Sequence, residues 1–248
     1  MIRESLGTPI DIHGGGQDLR FPHHENEIAQ SCCAHDTDGA PLARFWLHNG
    51  FLNMGKDKMS KSLGNIVTPH ELLETWDGEV LRFALMSAQY RQPLEWTEAL
   101  LAQSKKQLER FYRTLNDLAD IPVVQTDVPE SVLTALNDDL NTPEAIAALH
   151  GLREEATRAA GEERATAKGR LLAAGRLLGL LDQDPAEFLK GRAGTGDLDD
   201  AAIEALLAER AAARAARNWG RADEIRDQLG QAGIVFEDGP DGTTWRRS

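Results

Sequence analysis

The sequence predicts an α/β region at its N-terminal end, then an all-α region that forms a helix bundle, and finally a small α+β domain. Three observations predict this order. The first 55 residues alternate short apolar runs with glycines and a helix start, residues 98–182 repeat apolar residues at helical spacing, and the chain closes on two short apolar runs around a Pro-Asp-Gly turn. Aromatic residues make up only 6% of the chain while alanine and leucine are frequent, which favours helices over a β-sandwich.

Length and composition restrict the class of protein. The 248 residues suffice for one to two domains of about 150 residues each. The 41% hydrophobic and 27% charged residues are typical of globular proteins and exclude a wholly disordered chain. No apolar run approaches the ~18 residues that span a bilayer, and the N-terminus lacks a signal-peptide pattern, so no membrane association is expected. The two cysteines, Cys32 and Cys33, are adjacent and form no CxxC pair, so a reducing cytoplasm is the expected location.

The charge balance limits the kind of nucleic-acid binding that the chain can perform. Its 27 basic and 40 acidic residues give a net charge of −13, which argues against a nonspecific nucleic-acid coat. A local basic face is compatible with this sum, because phosphate binding depends on the charges near the contact.

The predicted organisation has four stretches: residues 1–55, 56–97, 98–182 and 183–248. In the first, residues 9–12 are predicted as a strand that runs into a turn at glycines 14–16. A helix is predicted to begin at Pro22, since acidic side chains in its first turns favour the helix dipole. A second strand is predicted at residues 43–47, followed by a loop. The second stretch contains a polar, lysine-bearing loop and a helix near residues 78–88.

Helical periodicity dominates the third stretch. One apolar stripe is formed by Leu108, Phe111, Leu115 and Leu118. A break near residues 137–143 is predicted to end in Thr142 as a helix N-cap, followed by helices at 145–160 and 170–181. Residues 183–200 are predicted to form a linker, because they contain a proline and several glycines. Residues 198–229 are predicted to be helical with an interruption near Asn218. The C-terminus is predicted to form a hairpin.

A lysine loop is the sharpest chemical signal. Lys58 and Lys61 lie three residues apart, Ser60 and Ser62 can donate to phosphate oxygens, and glycines flank the run. Such a loop suits a triphosphate whose charge must be stabilised as pyrophosphate leaves. The alternative for a generic pair of lysines is a solvated basic loop.

Two further groups of residues suggest a nucleotide seat and a metal. The glycines around Gly15 allow close approach of a ligand, and Asp18 could accept from ribose hydroxyls, although most glycine runs are only turns. His23 and Glu27 fall on one helical face at i and i+4 and could share a metal, although two ligands are not a site and a surface helix start is the alternative. His13 could donate to a substrate carboxylate or orient a ligand, or be an ordinary loop histidine.

The motifs together resemble one family. Lys58-Met59-Ser60-Lys61-Ser62 matches the signature loop of class I aminoacyl-tRNA synthetases at every position. In order along the chain, the sequence resembles the cysteinyl-tRNA synthetases at residues 11–18, 21–27, 55–65, 139–143, 219–227 and 242–247. This resemblance implies the second half of a Rossmann-type nucleotide-binding domain in residues 1–55, a stem-contact region in 56–97, a helical bundle in 98–182, and a linker and anticodon-binding domain in 183–248.

The resemblance implies an ATP- and Mg²⁺-dependent ligase that activates cysteine and transfers it to tRNA-Cys. Lys58 and Lys61 would contact the nucleotide, and His13 resembles the histidine beside the family's cysteine pocket. The family's zinc ion is bound by two cysteines, a histidine and a glutamate, of which the last two map onto His23 and Glu27. Zinc prefers a thiolate to a hydroxyl, so this metal would select cysteine over serine.

Two departures from the family pattern restrict that expectation. The HIGH tetrapeptide is absent, and so are both zinc-binding cysteines, which leaves two of the four zinc ligands. The resemblance therefore covers the C-terminal portion of a synthetase, and this chain alone is expected to be inactive in catalysis. A truncated chain, a frameshift or a misplaced start would each give this sequence. The alternatives are a non-catalytic tRNA-binding fragment and, disfavoured by its anticodon region, a cysteine:glucosaminyl-inositol ligase.

The last residues carry the predicted tRNA contacts. Trp219 is the candidate stacking platform for a base. Three residues line up with anticodon-binding positions of the family: Arg214, Asp223 and Asp238. Phosphate contacts are predicted for Arg214, Arg246 and Arg247. The alternatives are core packing for the tryptophans and a solvated helix face for the arginines. The expected partners are tRNA-Cys, cysteine and ATP, and a full-length protein is expected to be monomeric.

Overall fold

A computed structural model describes residues 2–35, 41–54, 57–58, 67–191, 198–239 and 242–247. The helices are α1 (Ile2–Leu6), α2 (Glu25–His35), α3 (Pro69–Thr75), α4 (Gly78–Met86), α5 (Glu98–Asp117), α6 (Glu130–Asn137), α7 (Thr142–Arg158), α8 (Glu163–Leu177), α9 (Pro185–Lys190), α10 (Asp200–Ala215) and α11 (Trp219–Gln231). The strands are β1 (Ile10–Gly16), β2 (Ala43–Asn49), β3 (Leu52–Met54), β4 (Asp57–Lys58), β5 (Leu94–Glu95), β6 (Ile234–Gly239) and β7 (Gly242–Arg247). None of these helices is long and apolar enough to cross a membrane.

The chain divides into two compact units, each built from three stretches of sequence. Unit 1 comprises residues 1–67, 82–103 and 130–148, and unit 2 comprises residues 68–81, 104–129 and 149–248. Unit 1 contains the strands β1 to β5, and unit 2 contains the hairpin and most of the long helices. An α/β region, an all-α region and a closing hairpin are therefore present, which confirms the predicted fold class.

The sheet of unit 1 that carries the candidate site is a parallel pair. Strand β1 pairs with β2 in a register that places Ile12 opposite Phe45 and Gly15 opposite His48. The prediction of a turn at the glycines is wrong, because they extend strand β1 to Gly16. The predicted helix start is also displaced: a 3₁₀ turn and a π-type turn cover residues 17–24, and the α-helix begins at Glu25.

A second small sheet of unit 1 joins β3 to β4 in an antiparallel pair and to β5 in a parallel pair. Gly50 precedes β3, and its N–H donates to the carbonyl of Tyr90 at 2.7 Å. A side chain at Gly50 would collide with the backbone of Gln92, so glycine is required where these two segments cross.

A bidentate ion pair fixes the loop after α4 to the turn after α6. Arg91 donates to both carboxylate oxygens of Asp139, at 2.7 and 3.1 Å, and the Tyr90 hydroxyl donates to the same carboxylate at 2.9 Å. Asp139 and Leu140 both have positive φ angles, 51° and 54°. The bonds to Asp139 hold a backbone conformation that non-glycine residues rarely adopt.

The helical core of unit 2 follows the predicted stripe. The four side chains of the predicted apolar stripe, three on α5 and one just after its end, are all at least 98% buried: Leu108, Phe111, Leu115 and Leu118. Past the end of this helix, the ammonium of Lys168 donates to the carbonyls of Leu118 and Ile121, both at 2.8 Å. Burial lowers the pKa of Lys168, and the two carbonyls compensate for the loss of water around its charge.

Two local predictions differ from the structure. Helix α7 begins at Thr142 itself, and the amide N–H of Glu144 donates to the Asn141 side chain at 3.3 Å, so the cap is Asn141. The predicted linker contains a short helix, α9, because Asp184 caps it and Pro185 occupies its first position. The break near Asn218 is present, and the Asn218 side chain caps α11.

The C-terminal part of unit 2 packs two helices against a hairpin. Strands β6 and β7 pair antiparallel, with Phe236 opposite Trp245. Its core consists of side chains from α10, α11 and β6: Ile203, Leu207, Ile225, Leu229 and Ile234. This packing orients one face of α10 and α11 toward solvent beside the hairpin.

Candidate functional site

A cluster of imidazoles and a carboxylate lies between β1 and α2 in unit 1. His13, from β1, approaches Glu27, from α2, with 3.1 Å between Nε2 and Oε2. His24 completes the cluster, and one potential ligand atom from each of the three residues lies within 4.8 Å of the other two. Nitrogen and carboxylate ligands of this kind are suitable for zinc.

His24 is held from several sides. It is 3% exposed, and its Nδ1 lies 2.9 Å from Nε2 of His48 on strand β2. The ring meets His13 edge-on at 4.9 Å between centroids and lies 5.1 Å from the ring of Trp46. A side chain at Gly15 would come within 2.8 Å of the His24 ring, which explains why glycine occupies this strand position.

The electrostatics of the cluster favour a neutral His24. Burial lowers the pKa of His24 most, and the neighbouring His13 and His48 lower it further. A neutral imidazole is the form that binds a metal. Oε2 of Glu27 is buried and accepts no hydrogen bond of good geometry, although Nε2 of His13 lies 3.1 Å away.

His23, the histidine predicted from sequence as a metal ligand, is placed differently. Its side chain is 59% exposed, and its Nε2 lies 3.6 Å from Oε1 of Glu27. It belongs to the irregular turn before α2, whereas the prediction assumed a continuous helix. Cys32 and Cys33 are free thiols on α2, and neither belongs to the metal-ligand cluster found in the part of the chain that the structure describes.

A cavity of about 540 Å³ opens beside this cluster within unit 1. Its walls include Trp46 and His48 from β2, His24 from the turn before α2, and Arg91 from the loop after α4. The side-chain amide of Gln17, on the same wall, donates to the carbonyl of Arg91 at 3.1 Å. Gly15 lies opposite His48 in the β1–β2 pair, and Asp18 lies in the 3₁₀ turn that follows.

The lysine loop lies almost entirely outside the described residues. Lys58 ends strand β4, which pairs with β3 at Asn53. Ser60, Lys61 and Ser62 are not among the described residues, so their predicted contacts with a nucleotide stay predictions.

A second candidate site is formed by the exposed face of α10 and α11. Trp219 begins α11 and is 60% exposed, so its indole is not part of the core. It lines a shallow cavity of about 210 Å³ together with Arg210, Arg214, Asp223 and Arg226. Arg226 contacts Asp223 at 2.9 Å, so the cavity combines cations, one carboxylate and one aromatic face.

Asp238, at the end of β6, is bound tightly to the neighbouring helix. Arg210 donates to both of its oxygens at 3.0 and 3.1 Å, Arg214 donates to Oδ2, and the Thr243 hydroxyl donates to Oδ1 at 2.9 Å. Arg210 and Thr243 hold the pKa of Asp238 well below its usual range. The guanidinium of Arg210 also lies 4.4 Å from the ring centroid of Phe236. Sequence reasoning missed Arg210, although its i, i+4 spacing to Arg214 on one helix could have identified it.

The two C-terminal arginines differ in exposure. Arg246 is exposed and lies on the rim of another cavity of unit 2. Arg247 is buried and donates to Asp200 at 2.7 Å and to the Leu198 carbonyl at 2.9 Å. The prediction that Arg247 contacts phosphate is not supported by this geometry, because its guanidinium holds the hairpin to the start of α10. Trp245 packs beside the domain core.

Three family models match consecutive parts of the chain. Residues 1–106 match the class I tRNA synthetase (C) catalytic domain, residues 131–182 match the DALR domain, and residues 195–246 match the cysteinyl-tRNA ligase anticodon binding domain. A solved ternary complex of Agrobacterium radiobacter K84 agnB2 LeuRS with tRNA and LeuAMS resembles the chain with a TM-score of 0.56 at 19% identity. That likeness covers 73% of this chain and 27% of the other, and it concerns the fold alone.

Curated relatives match along the whole chain. A cysteine–tRNA ligase of Parvibaculum lavamentivorans is 51% identical over 249 residues, and one of Caulobacter vibrioides is 54% identical over 251 residues. In each case the match covers 99% of this chain and 53% of the relative, so the chain spans about half the length of these proteins. With a catalytic, a DALR and an anticodon-binding region in succession, the chain belongs to the cysteinyl-tRNA synthetase family.

Proposed function

We propose that this chain provides the lysine loop, the helical domain and the anticodon-binding domain of a cysteine–tRNA ligase. The complete ligase would activate cysteine with ATP and Mg²⁺ and transfer it to tRNA-Cys. The observation that carries the proposal is the exposed indole of Trp219 beside a cavity lined by arginines and Asp223, at the position where the family's anticodon domain matches. A cytoplasmic location and a monomeric full-length protein stay predictions from the sequence.

The α10–α11 face has the chemistry required to bind unpaired bases. An exposed aromatic ring can stack on any base, and carboxylates accept from the amino groups of a base edge. Trp219 supplies the ring, Asp223 supplies an exposed carboxylate, and Asp238 supplies one whose orientation is fixed by Arg210. Arg214, about half exposed, and Arg246 are the proposed phosphate contacts.

The proposed catalytic contribution comes from unit 1. Lys58 and Lys61, with Ser60 and Ser62, would bind the triphosphate and stabilise the leaving pyrophosphate. Gly15 and Asp18 would contact the nucleotide, because a glycine allows close approach of a ligand and the carboxylate can accept from ribose hydroxyls.

The imidazole–carboxylate cluster fits a metal, because its donors are nitrogen and oxygen and the buried Oε2 of Glu27 accepts no hydrogen bond of good geometry. A bound zinc supplies a Lewis acid that prefers thiolate ligands. His13, already 3.1 Å from Glu27, would orient this carboxylate from β1.

A non-catalytic tRNA-binding protein is the second candidate, and one observation favours it. Ile12 and Phe45 lie opposite each other on the β1–β2 pair and are 62% and 64% exposed. A parallel sheet normally has both faces covered, so the nucleotide-binding region of this chain is incomplete while the hairpin domain has a closed core.

Trp219→Ala tests the proposed function by its effect on tRNA affinity. We expect binding of a tRNA-Cys transcript, measured by gel shift, to weaken by about 5- to 150-fold, since stacking on an aromatic ring contributes about 1–3 kcal/mol per base. The folding of unit 2 should be unaffected, because the indole is exposed.

Leu177→Ala is the matched control, as it shortens another exposed apolar side chain of unit 2, on α8 and outside this cavity. It should leave affinity within about twofold of wild type, because surface substitutions away from a binding site change little. Equal affinity of wild type and Trp219→Ala for tRNA-Cys would refute the stacking role. Equal affinity of the wild type for a transcript with altered anticodon bases would refute anticodon recognition.

A further inference from the structure

We propose that Asp238 exchanges one of its partners when tRNA binds: Arg214 leaves the carboxylate, a base amino group takes its place, and Arg210 stays as the positioning residue. The proposal rests on the proposed function, because it describes how the α10–α11 face receives an unpaired base. It goes beyond that function by naming the bond of the free protein that must break. It also explains how Arg214 can contact RNA although a carboxylate binds it in the free chain.

The hydrogen bonds of Asp238 are the first argument. Within the described part of the chain, four of them reach its carboxylate: two from Arg210 at 3.0 and 3.1 Å, one from Arg214, and one from the Thr243 hydroxyl at 2.9 Å. Two of the four end on each oxygen, and a carboxylate accepts about four hydrogen bonds in all. The side chain is 41% exposed, so a base can approach it. It can accept from that base only if one of the present donors leaves.

The two arginines differ in how firmly they are held. Arg210 donates to both oxygens, its side chain is 13% exposed, and its guanidinium lies 4.4 Å from the ring centroid of Phe236. Phe236 packs against the core of the hairpin domain and lies two residues before Asp238, on the same face of β6. Arg214 is 47% exposed and donates through one nitrogen to Oδ2. Exposed ion pairs contribute little stability, so Arg214 is the partner that a base displaces.

The place of this bond beside Trp219 is the second argument. Arg210 and Arg214 lie four residues apart on α10, and both line the cavity that contains the Trp219 indole. A base that stacks on this indole is therefore next to the bond between Arg214 and Asp238. An amino group on its edge can donate to the carboxylate. The released guanidinium can then bind an RNA phosphate. Uracil has no amino group, so the exchange favours the other bases.

The experiment measures discrimination at the anticodon by the intact 248-residue chain. Gel shifts at several salt concentrations follow the binding of a tRNA-Cys transcript and of three transcripts in which one anticodon base is replaced by uridine. At one position, we expect the wild type to prefer the unaltered base by at least about fivefold, because uridine leaves a carboxylate acceptor unpaired. Asp238→Asn should reduce this preference below about twofold, because an amide oxygen is a weaker acceptor than a carboxylate.

Replacing each arginine by glutamine separates the two roles. Arg210→Gln should also reduce the preference below about twofold, because the carboxylate is then free to turn and Arg214 can take both oxygens. Arg214→Gln should retain the preference and lower the slope of log affinity against log salt by about 0.7, the value for one phosphate contact on a single strand. Arg158→Gln, the matched control, removes an exposed and ion-paired arginine of unit 2 on α7 and should leave both quantities unchanged.

Circular dichroism of the free variants separates loss of positioning from loss of the fold. If Arg210→Gln does not fold, Arg210→Lys decides the question, because lysine keeps the charge without the two-point geometry. A preference that persists in Asp238→Asn or in a folded Arg210 variant would overturn the exchange. So would an unchanged salt slope, or a lost preference, in Arg214→Gln.

These outcomes differ from failure of the proposed function. In each of them the wild type still discriminates among the transcripts, so anticodon recognition stands and only the exchange is wrong. Equal affinity of the wild type for all four transcripts would refute the proposed function and the exchange together.

Discussion

The 248-residue polypeptide by itself is expected to exchange pyrophosphate into ATP, in the presence of cysteine, at least about a thousandfold more slowly than a full-length relative. Rossmann-type sheets bind nucleotide in the crevice where the two halves of the sheet meet. The parallel sheet described here has two strands, β1 and β2, with apolar side chains exposed on one face. Without the opposite wall the reactants are not positioned, and positioning contributes about 10⁵-fold or more to bimolecular steps.

A mixing experiment makes this expectation specific. Adding a second polypeptide that spans the remaining length of a relative, such as the Caulobacter vibrioides ligase, should restore exchange if it covers the exposed face at Ile12 and Phe45. Lys61→Ala should abolish the restored rate, because the triphosphate would lose a stabilising charge. The expectation would be contradicted if the polypeptide alone exchanged pyrophosphate as fast as a full-length relative and if Lys61→Ala abolished that exchange.

Replacing Glu79 by leucine is expected to lower the free energy of unfolding by about 3–5 kcal/mol, because it would leave several buried donors without an acceptor. Glu79 is 9% exposed and accepts from three groups: the Tyr112 hydroxyl at 2.6 Å, the Leu181 amide at 2.7 Å and the Gln183 side chain at 2.9 Å. The carboxylate therefore joins the start of α4 to α5 and to the segment after α8. Urea denaturation followed by circular dichroism measures the change.

Two control variants distinguish the buried network from a general effect of charge. Tyr112→Phe removes one hydroxyl and should cost about 1–2 kcal/mol, since the Gln183 amide that donates to this hydroxyl also loses its acceptor. Burial, together with Glu79, raises the pKa of Tyr112, so its hydroxyl remains a donor across the neutral range. Glu74→Gln, at an exposed position of α3, should change stability by no more than about 0.5 kcal/mol. A cost below about 1 kcal/mol for Glu79→Leu would show that the donors find other partners.

Local patterns predicted much of the fold. The stripe from Leu108 to Leu118 determines which face of α5 is buried, because side chains three and four residues apart share one side of a helix. Asn218 interrupts the last helical region and caps α11, and the Pro-Asp-Gly run separates two strands that pair as a hairpin. These features depend on neighbours within a few residues, so the sequence contains them directly.

Predictions failed where a residue's environment comes from distant parts of the chain. The glycines at 14–16 predict a turn, yet they belong to strand β1. Glycine is needed at position 15 because the ring of His24 lies where a side chain would be. Arg247 looked like a phosphate contact, yet Asp200, 47 residues earlier, binds its guanidinium in the interior. Arg210 was missed because its partner Asp238 lies on another element.

The sequence by itself determined the family, the order of the α/β, helical and hairpin regions, and the candidate residue types for nucleotide, metal and tRNA binding. Only the tertiary structure decided which of two adjacent histidines turns inward. His24 does so because β2 brings His48 within hydrogen-bonding distance and β1 offers a glycine beneath the ring, while His23 stays in solvent. Both histidines have the same local sequence pattern, so their difference comes from strands that fold against them.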